Sequence, residues 1–192
     1  MLINESDNEI IASYKSGNQE AFKDLLNRYT SPIYNFVVHS LNKNDAPDIV
    51  QEIFIKVWKN LHKFNPSKAS FKTWIFVIAK NSTTDFLRKK RNILFSDLNK
   101  IATQDLDETF EEKIPAVDLL PDEALQKLQD SEFLNKTLEK LPKNYQEILV
   151  LHYQEELTFE DIGKILNKPL NTVKSSHRRA ILELKALLKF PS

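Results

Sequence analysis

The chain has 192 residues, with 27 Lys/Arg balancing 27 Asp/Glu, 41% apolar residues, 2 glycines and no cysteine. That apolar share supports real cores and excludes wholesale disorder, while the missing cysteine excludes disulfides, thiolate metal sites and thiol nucleophiles. So few glycines also argue against a β-rich fold or a phosphate-cradling loop, because both use glycine's freedom at positive φ.

The zero net charge conceals a partition. Residues 1–95 carry 14 basic and 9 acidic residues, 96–132 carry 3 and 11, and 133–192 carry 10 and 7. Two mildly basic blocks thus flank an acidic segment, and that layout points to nucleic acid where the overall pI does not. The opening Met1–Asp7 predicts no secretory leader. No apolar run approaches membrane-spanning length, so no membrane insertion is expected and the chain reads as cytoplasmic.

Helical periodicity dominates from the start and no alternating strand stands out. Ser6 with Glu9 makes a capping box before Ile10, Ile11 and Tyr14. A second helix runs from Asn18 towards Leu41 with Ala21, Phe22, Leu25, Leu26 and Tyr29 on one face, and Pro32 bending or interrupting it. A third opens at Asp45 with Pro47 in its first turn, carries the stripe Ile49, Ile53, Phe54, Val57, Trp58 and Leu61, and stops near Asn65-Pro66. A fourth starts about Ser70 and ends in Arg88-Lys89-Lys90-Arg91. Regularity is lost from Asn92 to about Pro121, which predicts an acidic linker. It resumes with Ala124, Leu125, Leu128, Phe133, Leu134, Leu138 and Leu141. Pro142 then suits the first turn of a helix carrying Tyr145, Ile148, Leu149 and Leu151. The expected fold is all-α: two small helical domains, residues 1–91 and 122–192, joined by the linker 92–121.

The strongest local motif is a helix-turn-helix over Leu157–Leu188. Thr158 caps a short helix, Phe159 to Leu166, with Asp161 three residues on. Gly163 is small where a second helix has to cross closely. Asn167 tolerates the left-handed conformation that ends the first helix, and Lys168-Pro169 completes the turn. From Leu170 a longer helix buries Val173, Ala180, Ile181, Leu184 and Leu188. Its other side offers Asn171, Thr172, Lys174, Ser175, Arg178 and Arg179, donors suited to phosphates and base edges in a major groove. Six basic residues against one acidic lie between Lys168 and Lys189. An ordinary solvated helix hairpin is the blander alternative.

In the first block Asp48 and Glu52 share a helix face with Gln51, an acidic patch suited to a basic partner. Asp48 favouring the helix N-terminus, with Glu52 merely solvated, is the plainer reading. Lys56, Lys59 and Lys63 make a basic ridge at i, i+3 and i+7, although a solvated lysine face would look the same. The ridge leads into the loop Phe64–Ser70 and then to Phe71, Trp74 and Asn81. Unstacked bases need aromatic or polar walls with cations nearby. Phe71 and Trp74 as simple core residues remain the alternative. His39, His62 and His152 form no metal-ligand spacing, and neither a metal nor another cofactor is expected. No clustered catalytic set appears, so the chain does not read as an enzyme.

Asp45-Ala46-Pro47-Asp48-Ile49-Val50-Gln51-Glu52-Ile53-Phe54, Lys63-Phe64-Asn65-Pro66 and Phe71-Lys72-Thr73-Trp74-Ile75-Phe76-Val77-Ile78-Ala79-Lys80-Asn81, with Thr172-Val173-Lys174-Ser175 and Arg179-Ala180, closely resemble the extracytoplasmic-function sigma factors of the sigma-70 family. The resemblance covers almost the whole chain. It implies a polymerase subunit that recognises promoters and opens DNA. Asp48, Gln51 and Glu52 would then dock on the core's clamp helices. Lys56, Lys59, Lys63, Phe64, Ser70, Phe71, Trp74 and Asn81 would meet the −10 element, with Asn81 at a polar position used for the flipped base. Asn171, Thr172, Lys174, Ser175, Arg178 and Arg179 would read the −35 element. The implied partners are RNA polymerase core, promoter DNA and, as is common in the family, an anti-sigma factor. The linker, with Asp105-Leu106-Asp107-Glu108 and Glu111-Glu112, would thread the polymerase channels or serve as an extended tether. Val77 stands where many relatives carry a basic residue, and His177 where Leu or Ile is usual.

An independent helix-turn-helix regulator with an unrelated sensing domain is the other reading. It leaves the aromatic and basic cluster of the first block unexplained.

Overall fold

The computed structural model describes residues 5–41, 43–97 and 136–188, with the backbone alone at 93–97. Among the described residues there are helices and turns and no strand. The helices are α1 Asp7–Lys15, α2 Ala21–Ser40, α3 Ala46–Asn60, α4 Phe71–Asp97, α5 Lys143–Leu149, α6 Phe159–Leu166 and α7 Leu170–Leu188. A 3-10 turn, Leu61–Lys63, follows α3 and a π-helical turn, Val150–Gln154, extends α5. None is long and apolar enough to cross a membrane.

The local signals act as expected at most helix ends. The Ser6 side chain accepts the Glu9 N–H while the Glu9 carboxylate accepts the Ser6 N–H, a complete capping box. The Asp7 carboxylate then takes Tyr29 Oη and Arg28 of α2, tying the two helices together. Helix α2 passes unbroken through Pro32. Proline removes one helical hydrogen bond, but Leu25, Tyr29, Ile33, Phe36 and Val37 stay buried on either side of it and hold the helix straight through. Helix α4 starts where Ser70 Oγ accepts the Thr73 N–H at 3.0 Å. It runs to Asp97, past Asn92 where the irregular segment is expected to begin. The acidic stretch Asp105–Glu112 and the apolar repeat from Ala124 to Leu134 lie outside the described residues.

Two departures concern α3. The basic ridge does not continue to Lys63, because α3 ends at Asn60 and Lys63 belongs to the tighter 3-10 turn. Trp58 is expected in the buried stripe but is 53% exposed. Ile49, Ile53, Val57 and Leu61 recur every four residues and fill the seam, and Trp58 falls one position round the helix from it.

The two blocks share a core. Ile148, Leu151, Leu157, Ile162, Ile165 and Val173 of the second belong to the same buried cluster as Ile10, Leu25, Ile33, Phe36, Ile53, Phe71, Ile75 and Phe76 of the first. Helix α4 packs on α6, and α2 on α5. A smaller core of Leu138, Leu141, Leu149, Val150, Ala180, Ile181 and Leu184 belongs to the second block alone, where α5 packs on α7. The sequence pattern shows two blocks; it does not show this seam.

Candidate nucleic-acid interface

The helix-turn-helix is built from four local choices. Thr158, extended at φ −69° and ψ 156°, accepts the Asp161 N–H and donates its own hydroxyl to Asp161 Oδ2 at 2.7 Å. That fixes the start of α6 and places two acids, Glu160 and Asp161, at its positive end. Asn167 ends α6 in the left-handed region at φ 53° and ψ 47°. Gly163 is required by the turn itself rather than by the crossing helix: an added Cβ would lie 2.9 Å from the Lys168 carbonyl oxygen, while Val173 Cγ2 stands at 3.9 Å. The same turn is closed by the Lys168 N–H donating to Gly163 O at 2.9 Å. Pro169 O then accepts the Val173 N–H and starts α7.

Helix α7 seals Val173, Ala180, Ile181 and Leu184 inside. On its other side Asn171 and Lys174 are exposed, and Thr172, Ser175, Arg178 and Arg179 are half-buried. Ser175 Oγ donates to Thr172 O at 3.0 Å, so its oxygen lone pairs remain for an incoming donor. Arg178 lays its stem inward, with Nε buried and unpartnered. His177 sits in an aromatic box: its ring lies 4.9 Å from Phe159, 5.1 Å from His152 and 5.6 Å from Tyr153. Its Nε2 lies 3.2 Å from Tyr153 Oη. Burial, aided by His152, depresses its pKa from 6.5 to about 4, so at neutral pH it packs as an uncharged ring.

The first block presents a different kind of surface. Asp48, Gln51 and Glu52 are exposed on α3 as expected. Glu52 Oε1 is nevertheless paired with Lys56 Nζ at 2.7 Å, and Lys56 also donates to Ser82 Oγ at 3.0 Å. This links two residues expected to face different partners. Ile55, 44% exposed, and Trp58 extend the same face with apolar surface that periodicity alone assigns no role. In the loop, Lys15 Nζ holds Phe64 O at 3.0 Å, and Asn65 Oδ1 accepts the Ser67 N–H at 2.9 Å. Phe64 and Phe71 are buried, Phe71 to 1% exposure. They stack edge to face at 5.5 Å, and Trp74 tilts against both at 5.5 and 5.7 Å. Of the residues expected at the −10 element, Phe64 and Phe71 therefore form the floor of the loop. Lys59, Lys63, Ser70 and Asn81 are exposed, and Trp74 is half-buried.

A set of residues at the seam was not singled out in the sequence. Lys80 Nζ contacts both Glu147 oxygens at 2.7 Å. Ser40 Oγ donates to Glu147 Oε1 at 3.0 Å. Lys72 Nζ reaches Glu155 O at 2.5 Å and Glu155 Oε2 at 3.0 Å, and Lys143 Nζ reaches His39 O at 2.7 Å. Each bond joins positions at least 67 residues apart, so no spacing rule could have found them.

The described residues hold no group of three or more His, Cys, Asp or Glu able to bind a metal. Residues 25–93 match the family model described as Sigma-70 region 2, and residues 134–184 the one described as Sigma-70, region 4. The chain is 36% identical over 180 residues to the ECF RNA polymerase sigma factor SigW of Bacillus subtilis, covering 93% of this chain and 95% of that protein. It is 28% identical over 185 residues to the ECF RNA polymerase sigma-E factor of Haemophilus influenzae, covering 91% of each. The fold is similar to that of the sigma factor RpoE of Bartonella quintana, solved with the anti-sigma factor NepR. That likeness has a TM-score of 0.64 and 24% identity, over 90% of this chain and 99% of that one.

Proposed function

Because the chain belongs to the extracytoplasmic-function sigma factors of the sigma-70 family, we propose that it joins RNA polymerase core, recognises −10 and −35 promoter elements, and promotes DNA melting for initiation. Sigma factors are not enzymes, and this one lends recognition to the polymerase's own catalysis. The partners are polymerase core, promoter DNA and an anti-sigma factor, all met in the cytoplasm.

Within this reading, residues 1–91 serve the core and the −10 element, 92–121 are the linker, and 122–192 serve the −35 element. The observation that carries it is the pairing of a rigid helix-turn-helix with a second, separate surface of exposed Lys59, Lys63, Ser70 and Asn81. Helix α7 offers Asn171, Thr172, Lys174, Ser175, Arg178 and Arg179 to a major groove. These exposed residues of the first block offer cations and polar groups to a strand already leaving the duplex. Phe64 and Phe71, packed edge to face, form the buried floor of the loop. Asp48, Gln51 and Glu52 dock the core. The exposed Glu52–Lys56 pair is weak enough to exchange for an intermolecular one.

Run-off transcription with purified core polymerase tests the whole. Added protein should direct initiation at defined promoters, whereas tight, specific operator binding and regulation without core would replace the reading with an independent regulator. The double substitution Asp48→Arg with Glu52→Arg should abolish co-purification with core and leave helical content intact. Retained co-purification would remove these residues from the docking surface.

A further inference from the structure

The loop between the 3-10 turn and α4 is neither helix nor strand, although an unstacked base would have to be received there. Within Phe64–Ser70 the backbone closes a turn, with the Lys68 N–H donating to Asn65 O at 3.2 Å. The exit is fixed locally, because Ser70 Oγ accepts the Thr73 N–H and pairs with the Thr73 hydroxyl. The entrance is fixed from outside. Phe64 leaves the 3-10 turn extended, at φ −61° and ψ 131°, with its ring buried. Its carbonyl accepts Lys15 Nζ at 3.0 Å, a bond that spans 49 positions of sequence.

The donor comes from a firmly placed helix. With nine residues α1 is too short to persist alone. It is fixed by Asp7 on Arg28 and Tyr29 and by the buried Ile10 and Ile11. Lys15 is its last residue, where a cation ordinarily complements the helix's own carbonyl end. Here the ammonium crosses to the loop instead. The same helix supports the aromatic floor: Tyr29, held by Asp7, meets Phe71 edge-on at 5.3 Å, and Phe71 meets Phe64 at 5.5 Å. Helix α1 thus braces the loop's backbone directly and its floor through one intermediate.

We propose that Lys15 is a positioning residue for the −10 surface, fixing the Phe64 carbonyl and so keeping the loop in the form that takes up an unstacked base. This rests on the sigma reading. A strand loses conformational freedom when it is captured, and a loose loop would lose more at the same moment. A loop already held leaves only the strand to be ordered, so its affinity is higher with no added contact to DNA. The effect is confined to strand capture, because the duplex is read by α7 of the other block.

In the free protein, trypsin should cut after the exposed Lys68 about tenfold faster in Lys15→Met than in the parent, at an unchanged melting temperature. With core polymerase two probes are used: the single-stranded non-template −10 segment of a promoter that the parent holoenzyme opens, and a duplex carrying its −35 element. Lys15→Met should bind the strand about tenfold more weakly and the duplex equally well, while Lys15→Arg, which keeps a donor, should stay within about twofold of the parent. The salt dependence of strand binding should not change, since Lys15 acts through the loop. A slope shallower by about 0.7 would make Lys15 itself a phosphate ligand and overturn the inference. Unaltered strand binding by Lys15→Met, or an equal loss on strand and duplex, would overturn it too. Binding by the parent tests the sigma reading, whereas Lys15→Met against the parent, including the proteolysis without polymerase, tests the brace, so each can fall alone.

Discussion

The two regions proposed to face DNA differ in how finished they are. The second block projects its donors from one helix whose inner face is sealed by Val173, Ala180, Ile181 and Leu184, and whose turn is locked by Gly163 and Asn167. The first gathers its residues from α3, a loop and α4, and much of that surface is already engaged. Lys56 holds Glu52 and Ser82, Ser70 holds Thr73, and Lys72 and Lys80 hold acids from the other block. Base pairs in a duplex keep their positions, so a fixed reader suffices. A strand that must be unstacked has no fixed position, and a surface that exchanges internal partners for it is better suited.

The largest effect expected from this contrast separates the buried floor of the loop from the exposed Asn81 on the proposed −10 surface. Phe71→Ala should destabilise the protein by about 3–5 kcal/mol, because it empties a site at the centre of the shared core. Asn81→Ala should stay within about 0.5 kcal/mol of the parent and instead fail to open promoters. Urea melts with permanganate footprinting read both. A stable Phe71→Ala protein that cannot open DNA would move Phe71 from floor to contact and break the distinction.

A smaller effect sharpens the duplex side. With holoenzyme, Arg179→Ala should lose about 1–3 kcal/mol of promoter affinity and relax preference at one base position, whereas Lys174→Ala should weaken all sequences alike and lower the salt slope by about 1. Equal behaviour of the two would mean that both touch only phosphate.

The smallest concerns the aromatic box behind the reading helix. The folded chain holds His177 neutral, with a pKa near 4 against 6.5 when unfolded, so the unfolded state takes up the proton first. Its contribution is whole above about pH 6.5 and is lost progressively towards pH 4. His177→Gln should flatten the acid decline of the melting temperature in that window relative to the parent. An identical slope would show that His177 is not among the groups that drive it.

Much of the fold was legible because its signals are local. Ser6 with Glu9, Thr158 with Asp161, Asn167 and Pro169 each act within a few residues, where backbone hydrogen bonding leaves few solutions. His177 was legible as an anomaly, a polar ring on an apolar face, and the box of His152, Tyr153 and Phe159 explains it. The inward turn of Phe64 and Phe71 was not separable from an outward one, since an aromatic beside a loop has the same spacing in either case. Trp58 was misplaced because a periodic stripe has soft edges, and one residue is about 100° of rotation.

The amino-acid order by itself determined the helices, the turn of the helix-turn-helix, the division into basic, acidic and basic segments, and the family. The helices, the turn and the charge division follow from contacts between near neighbours or from composition, and the family from the resemblance of whole motifs. Only the tertiary structure decided which side of each aromatic is covered, that Lys56 also reaches Ser82, and that Glu147 and Glu155 close over Lys80 and Lys72. Burial and long-range ion pairing depend on which surfaces meet, and surfaces from opposite ends of a chain leave no periodic trace in its sequence.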